Sequence, residues 1–314
     1  MILPGFLYPG PLEVVSALLL ATALDIVYPY HSGVMLKIHP VHTSYFMALR
    51  LFRPYSSRLR GALIWLAVMA SHLAIYSALL YFAYRLSPVA WVIVAAYITK
   101  ASMSARLLLE EVSSAGRGLL EGDLNAARRA AQGLVRRDLS KEDPGHVASA
   151  AIESLAESLN DGLVSPLFWY ALLGPLGALA QRLVNTMDGA LGFKDPEHIR
   201  AGWLSAWADT IVNYIPARVT AALIVIASAP HRSSGRALRA WLRCGRLTES
   251  RNAGRPMSAM AGSLGVMLEK RGSYTLCGEF GRLPEGRDVA EAVRVAAISS
   301  ALLVLAEFIV LLLI

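Results

Sequence analysis

The chain has 314 residues, of which 55% are hydrophobic and only 17% are charged, and its mean hydropathy is +0.47. About a quarter of the residues in a soluble domain are charged, so this composition excludes an ordinary soluble protein and indicates an integral membrane protein. The net charge of +7 predicts membrane orientation rather than a nucleic-acid partner, because the basic tracts lack interleaved aromatic residues.

Apolar segments in chain order predict an all-α, polytopic fold over a single membrane-embedded domain, residues 1–314. The clearest span is 62–84, where His72 is the only ionisable residue and about 20 apolar residues suffice to cross. Segment 12–29 carries Asp25, and segment 88–106 spans fully only if Lys100 snorkels. The other expected spans lie near 163–183, 209–229 and 292–314.

Two of these segments contain residues that break helices. Residues 163–183 include Gly174 and Pro175 and are predicted to bend, while 209–229 is predicted to break near Pro216. Such backbone is tolerated at membrane depth only when it is buried in protein or lines a wet cavity.

Basic residues orient the chain. Residues 31–60 hold five Lys/Arg and no acid, and 231–287 hold eleven Lys/Arg against four Glu, so both regions are predicted to be cytoplasmic. Residues 106–160 are predicted to form cytoplasmic amphipathic helices and loops. The two broken segments then either both cross or both fail to cross, and crossing places the loop 184–208 outside.

The stretch "ESLAESLND" puts three acids, Glu153, Glu157 and Asp161, on one helical face next to apolar sequence. A solvated face explains such a stripe on an ordinary helix. No Lys or Arg follows four residues on, however, so the like charges repel, and a bound Mg²⁺ or a cationic substrate group would relieve the repulsion.

Further polar residues lie in or beside apolar sequence: Asn185, Asp188, Asp209, Asn213 and Arg218. A helix cap by Asp209 and a snorkelling Arg218 explain part of this set, but several polar groups at membrane depth also indicate a polar site. If Pro216 kinks its helix, Arg218 is predicted to reach the same pocket as Asp209 and Asn213.

Two other motifs leave alternatives open. His39 and His42 have a spacing that could share a metal, although a loop histidine held by a backbone carbonyl is the simpler interpretation. The segment "SRNAGRP" (250–256) suits phosphate binding through Arg and backbone N–H groups, and it equally suits a plain surface loop. Cys244 and Cys277 have no metal-type spacing and are expected to be free thiols.

Taken in order, seven blocks resemble the adenosylcobinamide-phosphate synthases of cobalamin biosynthesis, known as CobD or CbiB. The blocks are "LD" with "HPV", "GDLNAAR", "RRD", "AIESLAESLNDGLVSPLFW", "VNTMDGALGFK", "NYIPAR", and "SRNAG" with "MAGSLGV". The resemblance covers most of the chain, from Asp25 to about Tyr274. Among its departures, the family's Glu-Asn and Asp-Asp pairs are Glu157–Ser158 and Asp209–Thr210 here.

The resemblance implies a multi-pass cell-membrane enzyme that uses ATP to join aminopropanol, or its phosphate, to the free propionate of adenosylcobyric acid. ATP and Mg²⁺ are the expected cofactors, and other late membrane enzymes of the pathway are expected partners. Candidate catalytic residues are Glu157, Asp161, Asp188 and Asp209. Candidate substrate-binding residues are Asn185, Asn213, Arg218, Asn252, Arg137 and His39. The expected Mg²⁺ ligands are Glu153, Glu157 and Asp161.

Two rival functions remain open on the sequence. A transporter or corrinoid-binding membrane component also shows broken helices with Asp, Asn and Arg near the bilayer midplane. A lipid-headgroup phosphotransferase is a weaker rival, because "TMDGALGF" lacks its paired acids.

Overall fold

The computed structural model describes residues 4–313, and this part of the chain is mostly helical. It divides into two compact units. The first unit contains the residues up to Ser104, then Ser165–Asn213 and the chain from Ala306. The second unit contains Ala105–Val164 and Tyr214–Leu305. A single domain over residues 1–314 stays a prediction.

The first unit is a helical bundle. Its helices are α1 (Pro11–Val27), α2 (Gly33–Lys37), α3 (Pro40–Leu51), α4 (Arg58–Leu86), α5 (Pro88–Ser102), α9 (Ser165–Leu191) and α10 (Trp203–Val212). Helix α5 packs against α1 and α9, and α9 also packs against α3, α4 and α10. Ser87 fixes the corner between α4 and α5, because its side chain accepts the N–H of Ala90 at 3.1 Å and Pro88 occupies the first helical position.

The second unit combines helices with one short hairpin. Its helices are α6 (Arg106–Leu120), α7 (Leu124–Gln132), α8 (Pro144–Leu159), α11 (Tyr214–Ala227), α12 (Ser234–Cys244) and α13 (Gly254–Leu264). Strand β1 (Leu268–Lys270) pairs antiparallel with β2 (Tyr274–Leu276), and the hairpin packs against α8. Helix α13 packs against α11 and α12. The last helix, α14 (Gly286–Leu313), begins in the second unit and ends in the first.

Within residues 4–313, four helical stretches are long and apolar enough to cross a membrane, and one broken pair qualifies as a fifth. The stretches are Arg58–Leu86, Pro88–Leu120, Pro144–Leu191 and Gly286–Leu313, and the pair is Trp203–Val212 with Tyr214–Ala227. The prediction of an all-α, polytopic membrane protein is confirmed. Helix α1 has only 17 residues and is not among these stretches, so 12–29 is the weakest of the six expected spans.

Both predicted helix breaks are present. Gly174 leaves the helical region at φ +68° and ψ −160°, and Pro175 restarts the helix, so α9 is kinked as predicted. A Cβ at Gly174 would lie 2.5 Å from the carbonyl oxygen of Leu7, which leaves glycine as the residue that fits. The second break lies at Asn213 rather than at Pro216, because Pro216 occupies the first turn of α11, where its missing N–H costs little.

Lys100 does not snorkel. Its side chain is only 6% exposed and its Nζ lies 3.1 Å from Asp25 Oδ1. Asp25 of the expected span 12–29 and Lys100 of the expected span 88–106 thus form an ion pair inside the first unit. Each charge reduces the cost of burying the other.

Candidate functional site

The three acids of the "ESLAESLND" stripe lie on one long helical stretch. Asp143 precedes helix α8, and its carboxylate caps the helix by accepting the N–H of His146 at 3.1 Å. At residues 160–164 the helix widens into a π turn before α9 continues. A π turn carries one extra residue and changes the face on which later side chains lie, and such turns are frequent at functional sites. Asp161 lies in this turn.

Glu153 is buried and fully engaged. Its carboxylate lies 3.3 Å from Nη1 and Nη2 of Arg137, and it accepts hydrogen bonds from Tyr274 at 2.8 Å and from Ser149 at 2.7 Å. Burial, followed by the charge of Glu153, holds the pKa of Tyr274 well above its usual range, so the phenol stays a donor. The repulsion expected at this acid is relieved by Arg137, which the sequence-spacing argument missed because Arg137 lies 16 residues away.

The other two acids have different surroundings. Glu157 is exposed and Asp161 is half-buried. Asn160 donates to Asp161 Oδ1 at 2.7 Å, and its own carbonyl oxygen accepts from Thr220 at 3.0 Å. The stripe therefore consists of one buried, one half-buried and one exposed carboxylate. Within residues 4–313, these three acids are not among the groups whose ligand atoms lie close enough together to share a metal.

A hydrogen-bonded amide and carboxylate cluster forms in the first unit. Asp209 Oδ1 accepts from Asn213 at 2.8 Å and from Asn185 at 3.3 Å. Asn213 in turn accepts from Gln181 at 3.2 Å, and Arg182 donates to Asn185 at 3.4 Å. This cluster links α9 to the C-terminal end of α10, two helices that pack against each other. Three of the five polar residues predicted from the sequence, Asn185, Asp209 and Asn213, are thus hydrogen-bonded in one cluster. The cluster also contains Gln181 and Arg182, which the sequence analysis did not name.

Asp188 and His39 also lie in the first unit. Asp188 is half-buried one helical turn after Asn185, with its carboxylate over Gly192. His39 caps α3, because its Nδ1 accepts a hydrogen bond from the backbone N–H of Val41 at 3.3 Å. The sequence analysis had expected the ring to donate to a backbone carbonyl. Burial, and next the nearby His31, lower the pKa of His39 to about 3, so this imidazole is neutral.

The "SRNAGRP" segment of the second unit gathers positive charge. Arg218 stacks on the ring of Tyr214 at 3.4 Å and reaches Asn252 Oδ1 at 3.4 Å. Arg255 passes beside the backbone of Gly245. Burial, followed by the charges of Arg218 and Arg246, lowers the pKa of Arg255. Within residues 4–313, the buried Nε of Arg255 has no hydrogen-bond partner.

An anion is the ligand that this arginine cluster fits. Guanidinium groups bind phosphate and carboxylate through paired N–H donors, and a bound anion would relieve their mutual repulsion. Of the cluster, Arg218 and Asn252 were picked from the sequence. Arg246 and Arg255 were missed, although the basic, glycine-punctuated segment that holds Arg255 was recognised as suited to phosphate.

Comparison with known proteins identifies the family of this chain. The sequence model of the family described as CobD/Cbib protein matches residues 18–305. A relative from Aeropyrum pernix, named Probable cobalamin biosynthesis protein CobD, is 50% identical over 297 residues, which is 94% of this chain and 92% of the relative. The Cobalamin biosynthesis protein CobD of Rhodobacter capsulatus is 35% identical over 261 residues, 81% of each chain.

A third relative, from Methanothermobacter thermautotrophicus, bears the same name as that from Aeropyrum pernix and is 36% identical over 267 residues, 83% of this chain and 86% of the relative. No solved structure matches the chain. The family match covers more than nine-tenths of residues 4–313, including every candidate site residue named above. This chain belongs to the CobD/Cbib protein family.

Proposed function

We propose that this protein is a multi-pass cell-membrane enzyme of cobalamin biosynthesis that forms an amide bond at the expense of ATP. The bond joins aminopropanol, or its O-phosphate, to the free propionate of adenosylcobyric acid. Family membership supports the role in cobalamin biosynthesis. The arginine cluster around Asn252 carries the chemical part of the proposal, because both ATP and a phosphorylated amine bring phosphate groups that need such a site.

The proposed reaction requires the phosphate groups of ATP to be bound close to the carboxylate of the substrate. A carboxylate does not condense with an amine in water, so ATP supplies the phosphoryl group that converts it into an acyl phosphate. The amine then attacks the acyl carbon, phosphate leaves, and the amine loses a proton. Arg218 and Arg255 would hold phosphate oxygens, and their charge would stabilise the negative charge of the transition state.

The acids fit Mg²⁺ only in part. Glu153 is committed to Arg137, Tyr274 and Ser149, which makes it a poor ligand. Mg²⁺ bound to nucleotide phosphates needs only one or two protein carboxylates, and Glu157 and Asp161 remain candidates for that role. Deprotonation of the attacking amine needs a base, and the carboxylates of Asp161, Asp188 and Asp209 are the candidates.

A direct test uses the full-length protein in detergent with ATP, Mg²⁺, adenosylcobyric acid and either aminopropanol or its phosphate. We expect ATP-dependent formation of the amide product, detected by mass spectrometry, and the preferred amine identifies the substrate.

The rival function, a transporter or corrinoid-binding component, is supported by the breaks at Gly174 and Asn213. Corrinoid binding without product, together with corrinoid uptake into sealed vesicles, would favour the rival.

The arginine cluster has its own test. Arg255→Gln removes one charge-assisted phosphate contact worth about 1.5–3 kcal/mol, so the KM for the phosphate-bearing substrate should rise about 10- to 100-fold. Arg243→Gln is the matched control, because Arg243 is an exposed arginine at the end of α12. Equal KM values for the two variants would remove the phosphate role from this cluster.

A further inference from the structure

Two thiols and one carboxylate meet at the C-terminal end of α12 in the second unit. Cys244 is the last residue of α12 and is 4% exposed, while Cys277 directly follows β2 and is fully buried. Glu279 follows two residues later in a tight turn, in which Phe280 N–H donates to the carbonyl of Cys277 at 3.1 Å. Both cysteines are free thiols, as expected from the sequence.

The spacing of these groups matches the coordination shell of a small soft cation. The two Sγ atoms and one carboxylate oxygen all lie within 4.8 Å of one another, and Cys244 Sγ lies 3.6 Å from Glu279 Oε1. With Zn–S near 2.3 Å and Zn–O near 2.1 Å, the sulfur-to-oxygen edge of a zinc tetrahedron is about 3.6 Å. The donor atoms are therefore already near their coordinating separation.

We propose that Cys244, Cys277 and Glu279 form a Zn²⁺ site. Binding deprotonates both thiols, and the two protons pass to solvent while the sulfurs and the carboxylate each donate an electron pair to the metal. The site lies at a helix C-terminus, where the unpaired carbonyl groups favour a cation. Two thiolates and one carboxylate suit Zn²⁺ better than Mg²⁺, which prefers oxygen ligands.

Three protein ligands leave the fourth position of the tetrahedron open. Glu279 is exposed, so this position is accessible to water or to an external ligand. Zinc sites that use three protein ligands keep a water or a substrate atom at the fourth position, whereas structural sites use four protein ligands. The site is independent of the proposed amide synthesis, since none of its residues belongs to the candidate site described above.

A second group of possible ligands, Asp195, Glu197 and His198, does not support a metal site. The three residues lie in an open loop, and the ring of His198 is already bound by Asp195 Oδ1 at 2.9 Å. Carboxylates and a histidine in a turn of this kind stabilise the turn itself, because Asp195 also accepts the N–H groups of Glu197 and His198. This group serves as the control.

The test uses full-length protein purified with a tag that contains no histidine, equilibrated with Zn²⁺, dialysed, and analysed for metal. Loss of an outer-shell partner of a metal ligand already costs about 10- to 100-fold in affinity. Since these residues would be the ligands themselves, we expect one zinc per chain, at least about 100-fold weaker binding in Cys244→Ser and Cys277→Ser, and at least about tenfold weaker binding in Glu279→Gln. Asp195→Asn should retain wild-type binding. In the unaltered protein, Co²⁺ should give the thiolate charge-transfer absorption of a tetrahedral site, and Zn²⁺ should slow alkylation of the thiols.

Three outcomes would overturn the proposal. They are the absence of retained zinc, retention that is unchanged in the cysteine variants, and retention that is lost in Asp195→Asn alone. A fourth outcome would be a disulfide between Cys244 and Cys277 in protein isolated under reducing conditions, because a disulfide sulfur carries no negative charge and does not act as a thiolate ligand. Because the Co²⁺ spectrum and the thiol protection use the unaltered chain, poor folding of a variant does not affect them.

Discussion

Glu153 is the site residue whose role can be tested most sharply. The change is Glu153→Gln, with Glu157→Gln as the matched control one turn along the same helix. Glu153 has a side chain that is 5% exposed and carries an ion pair with Arg137 and hydrogen bonds from Tyr274 and Ser149. Glu157 is exposed. The two variants make the same chemical change in opposite surroundings.

The expected loss of stability follows from those contacts. Removing one member of a buried ion pair costs about 3–5 kcal/mol, because the remaining charge stays buried without compensation. The Arg137 side chain is 21% exposed and partly hydrated, which favours the lower end, about 3 kcal/mol. For a unit of 150–250 residues, this corresponds to a fall in Tm of roughly 6–12 °C. An exposed substitution such as Glu157→Gln changes stability by about 0.5 kcal/mol or less.

The two assays are thermal unfolding in detergent and amide synthesis at saturating Mg²⁺. We expect Glu153→Gln to lower Tm, and Glu157→Gln or Asp161→Asn to abolish synthesis in protein that inserts and purifies normally. Equal Tm values for Glu153→Gln and Glu157→Gln would refute the structural role of Glu153. Wild-type synthesis by both Glu157→Gln and Asp161→Asn would assign these two acids to a solvated surface.

Three further predictions concern other charged residues. Arg218→Lys should lower amide synthesis at least about tenfold, since lysine lacks the planar fork, and full activity would show that only charge matters. Asp25→Asn should destabilise the protein by about 3–5 kcal/mol by leaving Lys100 unpaired, whereas an unchanged Tm would refute the buried pair. The hydrogen bond from His146 lowers the pKa of Glu269 in the folded protein. Ionised Glu269 therefore contributes its full stabilisation above about pH 4.5, the pKa of the unfolded chain, and this contribution is lost as the pH falls through the lower pKa of the folded protein. The free energy of unfolding, measured from pH 7 to pH 3, should therefore decrease less in Glu269→Gln than in wild type.

Composition and short-range spacing were sufficient to predict the fold class. Charge depletion and apolar runs predicted the all-α membrane architecture, and proline and glycine chemistry predicted both helix breaks. The exact break at Asn213 could not be predicted in this way, because Pro216 fits equally well inside a break or in the first turn of a new helix.

Partners that are far apart in sequence account for what was missed at the site. Arg137 lies 16 residues before Glu153 and Lys100 lies 75 residues after Asp25, so an argument from i,i+4 spacing finds neither pair. The thiols of Cys244 and Cys277 are another example, since 33 residues separate two atoms that the fold brings together. Local patterns identified which residues are polar in apolar surroundings, but only tertiary structure shows which of them compensate one another.

This distinction also supports the proposed phosphate site. The charges of Asp25 and Lys100, and those of Glu153 and Arg137, neutralise each other, so these pairs stabilise the fold and offer little to a substrate. The arginines around Asn252 are different, because three like charges lie together and the buried Nε of Arg255 has no hydrogen-bond partner within residues 4–313. A protein gains little stability from such an arrangement by itself. Its charge and its open donor are complementary to a phosphate, and this supports the proposal that a phosphorylated substrate binds at the cluster.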